Sequence, residues 1–88
     1  MIRNNDFLLR EVAGSQVLVP VGEAVGAFSG IVTLNNSGVH LWNTMETEQT
    51  EHSLVNALLD RYDVSAEQAA ADVERFIAKL RSVGAVKE

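Results

Sequence analysis

The hydrophobic period changes once along this chain, and the place where it changes limits the folds open to it. From Phe7 to Leu34 the apolar residues come in short runs rich in Val, Leu and Phe, broken by glycines and Pro20. From Asn36 to Val83 they recur every three or four residues. Strands first and helices afterwards is the order of an α+β domain, with helices packed against a small antiparallel sheet.

The runs predict strands over about 7–13, 16–20 and 28–34. Gly14-Ser15 is a Gly-X pair of the kind that closes a two-residue hairpin between the first two. Pro20 has no amide hydrogen to give to a ladder and ends the second strand, and Gly22, Glu23, Ala24 and Gly26 form the connection to the third. Asn35 or Asn36 supplies the cap of a first helix over about 36–45, with Leu34, Leu41, Trp42 and Met45 on one side. Trp42 reads as the core residue that anchors this helix to the sheet. Thr50 caps a second helix to about 62, in which Leu54, Val55, Leu58, Leu59 and Tyr62 recur at helical spacing. Ser65 with Gln68 has the capping-box pattern and opens a third helix, about 66–83, that stops at Gly84.

Two features of this arrangement bear on function. A three-stranded sheet has two edges, and an edge left unpaired is a template for another strand. In the third helix, Ala66, Ala69, Ala70, Val73, Phe76, Ile77, Leu80 and Val83 fall on a stripe of about 140°. Phe76 and Val83 lie on one rim of it, beside Asp72 and Lys79. That rim either completes the core or lines a groove next to the sheet.

Composition removes more than it identifies. Eighty-eight residues, 47% of them apolar, supply one modest core, so a single domain over residues 1–88 is expected. Without cysteine there are no disulfides, thiolate metal sites or thiol nucleophiles. The stretch Val17 to Val21 is too short for a signal sequence or a bilayer span, so no membrane partner is expected and the cytoplasm is the expected location. Gly-rich phosphate loops, GxSxG and HExxH are all absent. His40 and His52 fall on different helices, and although Glu46, Glu48 and Glu51 lie near His52, the spacing is looser than zinc ligation by two histidines normally shows. The expectation is therefore no enzyme, no metal and no cofactor.

Beside these readings stands a resemblance. From Val17-Leu-Val-Pro20 through Leu34-Asn35, Gly38, Leu41-Trp42, Tyr62-Asp63-Val64, Asp72-Val73, Phe76, Leu80 and Gly84, nearly the whole chain resembles the PqqD-like family, the RiPP recognition elements. The resemblance implies a winged-helix-like domain of three strands and three helices. It implies capture of the leader peptide of a ribosomally synthesised, post-translationally modified precursor, a peptide chaperone's role in natural product biosynthesis. It also implies a partner enzyme, such as a radical SAM protein or a cyclase. Members that serve the cofactor PQQ commonly carry Pro-Glu soon followed by Leu-Asn. Here Pro20 is followed by Val21 and a longer Gly-containing segment before Leu34, which points to a different peptide product.

Physically, a leader would add as a strand to the free edge, with alternate side chains entering a neighbouring groove. The expected site is the backbone of Ser29, Gly30, Ile31, Val32 and Thr33 together with Asp72, Phe76, Lys79 and Val83. A homodimer is a further partner that an open edge admits. The rivals from other classes are a winged-helix nucleic-acid binder, for which the third helix offers Arg75, Lys79 and Arg81, and a non-catalytic structural subunit of a larger complex. Against the first, the net charge is −5 and no Lys or Arg occurs from Glu11 through Asp60, so the clustered cations that release phosphate counterions are missing. Duplex DNA should accordingly show no salt-sensitive electrophoretic shift at low micromolar protein.

Overall fold

Leu9 stands opposite Leu18 and Phe7 opposite Pro20 across the first hairpin, and this apolar matching sets the register on which the sheet is built. The computed structural model describes residues 1–27 and 31–88. In chain order the elements are β1 (Ile2–Arg3), β2 (Phe7–Val12), β3 (Ser15–Pro20), the short turn of helix α1 (Ala24–Ala27), β4 (Val32–Leu34), α2 (Asn36–Thr44), α3 (Glu51–Arg61), α4 (Ala66–Val83) and β5 (Val86–Lys87). The fold is α+β, with an antiparallel sheet ordered β2-β3-β4.

The hairpin turn falls one residue earlier than Gly14-Ser15. Val12 pairs with Ser15, and Ala13 and Gly14 make the turn with φ of 52° and 82°. Positive φ at both positions is what a type I′ loop requires. A turn at Gly14-Ser15 would have set Glu11 opposite Leu18, which is fully buried. The third strand is also shorter than expected. β4 begins at Val32, Ile31 lies outside it, and residues 28–30 of the expected strand lie outside the described residues.

The helix caps follow the sequence. Asn35 accepts from the Gly38 amide at 2.9 Å, and Thr50 and Ser53 form a reciprocal capping box. Ser65 accepts from the Gln68 amide at 3.1 Å, but the Gln68 side chain donates to Asp72 instead of returning to the cap. Gly84 ends α4 with φ 78°.

A second sheet pairs β1 with β5, which lie outside the three strands expected from the sequence. Two-residue strands carry no periodicity to read. Arg3 holds this end in place: its amide donates to Met45 O at 3.1 Å, its guanidinium donates to Trp42 O at 3.3 Å, and it lies 5.6 Å from the Trp42 ring centroid.

The core joins Phe7, Leu18, Val32 and Leu34 of the sheet to Leu41, Trp42 and Met45 of the first long helix and its C-cap, Leu54 and Leu58 of α3, and the inner face of α4. That face is narrower than the sequence stripe. Ala69, Val73, Phe76, Ile77 and Leu80 are buried over an arc of about 100°, whereas Ala66 and Ala70 are exposed.

Ala13 is the one described non-glycine residue with positive φ, a conformation that costs an ordinary L-residue roughly 1 to 2 kcal/mol and that Asn tolerates. Ala13→Asn should stabilise the domain by about 1 kcal/mol, raising the melting temperature by roughly 4 to 8 °C. Ala13→Gly should do less, because glycine adds unfolded-state entropy.

Candidate functional site

Among the described residues β4 pairs with β3 only, so its other edge is unpaired. Helix α4 runs beside that edge. Lys79 reaches across and donates from Nζ to the Thr33 carbonyl at 3.3 Å. Between strand and helix lies an open groove of about 530 Å³, bordered by Thr33 and Leu34 on one side, by Asp72, Arg75, Phe76 and Lys79 on the other, and by Asn35, Ser37, Gly38 and Leu41 at its base.

The base depends on Gly38. A Cβ there would stand 3.2 Å from the capping Oδ1 of Asn35 and 3.4 Å from Leu34 Cβ, so a side chain would press on the cap and on the end of β4 together. Past Asp72 the groove runs on into a second hollow of about 370 Å³, which shares Asn35, Ser37 and Asp72 with the first and is walled by Leu58, Tyr62 and Val64. Val64 is exposed and Tyr62 half-buried, so the far end of the cleft is apolar.

Of the residues expected at a site, Thr33, Asp72, Phe76 and Lys79 border one groove. Val32 is different: it turns into the core at 3% exposure and can offer only its backbone. Ile31 is 55% exposed and immediately precedes β4. Ser29 and Gly30 lie outside the described residues. Val83, expected on the groove rim, packs against the core instead and does not border the groove, because the helix ends there and the chain turns through Gly84 into β5. Phe76 is core and groove wall at once, 8% exposed within the buried cluster. Sequence reading passed over Arg75 and the base at Asn35, Ser37, Gly38 and Leu41 as site residues, although it named Asn35 or Asn36 as the helix cap.

The charges around the groove are unequally engaged. Asp72 accepts from Gln68 Nε2 at 2.8 Å and also pairs with Arg75. Arg81, further along α4, pairs with Glu88 at 2.6 Å, a contact that raises the guanidinium pKa and lowers that of the carboxyl, mainly through the hydrogen bond they share. Among the described residues Lys79 has the Thr33 carbonyl and no carboxylate.

Neither histidine joins an acidic cluster. His40 contacts the Ala57 carbonyl through Nε2 at 3.1 Å and meets the Tyr62 ring edge-on at 6.3 Å. Among the described residues no group of three or more His, Asp or Glu side chains is placed to hold a metal ion. No described helix is long and apolar enough to cross a membrane.

An open strand edge sharing a groove with an amphipathic helix defines an α+β domain of winged-helix-like build. The chain belongs to the PqqD family: the family model for Coenzyme PQQ synthesis protein D (PqqD) matches residues 15–86, from the start of β3 into β5. The solved structure of TbiB1 in complex with the TbiA(beta) leader peptide shares the fold, with a TM-score of 0.75 over 99% of this chain and 95% of that one at 17% sequence identity. No curated protein matches the chain.

Because Phe76 closes the core as well as the groove, Phe76→Ala should lower stability by about 3 to 5 kcal/mol. Chemical denaturation would measure this. Lys79→Ala and Arg75→Ala, on the exposed side of the same helix, should each change stability by less than about 1 kcal/mol.

Proposed function

We propose that this domain binds the leader segment of a ribosomally synthesised, post-translationally modified precursor by strand addition to β4, and presents the precursor to a separate modifying enzyme. The observation that carries the reading is the unpaired edge of β4 facing α4 across a groove with an apolar wall at Phe76. Membership of the PqqD family and a shared fold with TbiB1, which was solved with a leader peptide, support it.

In this reading main-chain hydrogen bonds to β4 supply affinity that depends little on sequence. Side chains on one face of the added strand enter the groove between Thr33 and Phe76, and residues beyond the strand reach the hollow at Tyr62 and Val64. The domain contributes no reacting group. Holding the precursor raises its local concentration at the active site of a partner such as a radical SAM enzyme or a cyclase. The proposed site comprises the backbone of Ser29 through Thr33 with Asp72, Phe76 and Lys79, extended by Arg75 and the groove base.

Strand addition has a signature that other docking modes lack. Successive amides of a strand point to opposite sides, so only alternate ones face β4. With the precursor peptide encoded beside the gene, N-methylation at single positions should weaken binding with a period of two, by about tenfold at each affected position. Fluorescence anisotropy on the labelled peptide reads this directly. A helical period, or no dependence on N-methylation, would rule strand addition out. Ile31→Pro should weaken the same peptide without disturbing the β3–β4 ladder, whose register stops at Val32.

A further inference from the structure

The geometry points to Lys79 as a displaceable cap on the β4 edge that selects leader peptides carrying an Asp or Glu side chain at one register position. This rests on the reading of the groove as a leader-peptide site. The observation behind it is the contact from Lys79 Nζ to the Thr33 carbonyl. That carbonyl belongs to the residue at the middle of the three-residue edge strand. An added strand brings an amide to the carbonyls of this edge, and the ammonium group lies across its path.

When a peptide seats, the ammonium has to give way and find another acceptor. Its surroundings offer little. Asp72 is already engaged by Gln68 and Arg75, and among the described residues no carboxylate lies within ion-pair distance of Lys79. A peptide covering the groove would also remove water from the ammonium, and a desolvated charge without a partner is costly. A carboxylate on the peptide face turned toward α4 resolves both, because it accepts from Nζ as Thr33 O is handed to the peptide amide. The cap is weak enough to leave, being one long contact between an exposed ammonium and a neutral carbonyl.

The preference is local and not a matter of steering. With a net charge of −5 the domain as a whole repels an acidic peptide, so recognition of the carboxylate begins only at contact. Its loss should therefore appear in the dissociation rate more than in the association rate.

The test selects a display library of random linear peptides separately against the wild-type domain, Lys79→Met and Lys79→Arg, all checked for unchanged melting. Asp or Glu should be enriched at one position by wild type and Lys79→Arg and not by Lys79→Met. For a peptide taken from the wild-type selection, replacing that acid by its amide should cost about tenfold in affinity on wild type and nothing on Lys79→Met. Equal enrichment on Lys79→Met, an absence of acidic enrichment on wild type, or the same loss on both proteins would overturn the role of Lys79 while leaving peptide binding intact. If no variant retains any peptide, the leader-binding reading falls and this inference falls with it.

Discussion

The packing of α4 across the sheet is the interaction on which the rest of this structure depends. A sheet of three strands, one of them only three residues long, cannot bury its own inner face. Val73, Phe76, Ile77 and Leu80 are buried in one cluster with its inner residues, together with Leu41, Trp42 and Met45 at α2 and Leu54 and Leu58 of α3, and that shared burial removes the apolar face from water. On its other rim α4 borders, with Asp72, Arg75, Phe76 and Lys79, the groove that it shares with Thr33 and Leu34 of β4.

Phe76 has two roles by its place on that helix. It sits at the edge of the buried arc, a member of the core cluster that also borders the cleft. Helix positions just beyond it, Asp72, Arg75 and Lys79, are polar because they face water, yet they stand close enough to the strand for Lys79 to reach a backbone carbonyl. A single amphipathic helix thereby supplies an apolar wall, a neutralised Asp72–Arg75 pair and, at Lys79, a cation with no carboxylate partner among the described residues. Substitutions along this rim divide accordingly, with Phe76 felt in stability and Lys79 in recognition.

The capping residues show how far local chemistry reaches. Asn35 closes the first turn of α2 and also forms part of the groove base, where Gly38 keeps the space open. A cap that satisfies one backbone amide thus also bears on how near the end of β4 comes to α2. The β1–β5 ladder includes Arg3, whose contacts tie it to Trp42 and the end of α2. This second tie is invisible in a periodicity, because it joins residues far apart in the chain.

What the sequence by itself determined is the class of fold, the three long helices with caps at Thr50, Ser65 and one of Asn35 and Asn36, the stop at Gly84, and the apolar rim carrying Phe76. All of these follow from interactions between residues a few positions apart, which leave a period or a signature in the chain. Only the tertiary structure decided where the hairpin turns, since Ala13-Gly14 wins over Gly14-Ser15 by matching Leu9 with Leu18 across the sheet. It alone decided that β4 starts at Val32, that Ala66 and Ala70 stay exposed, that Val83 packs against the core, and that the Lys79 ammonium reaches the Thr33 carbonyl. These depend on which surfaces meet when the elements pack, and the free energy of such meetings belongs to pairs of residues that the sequence holds apart.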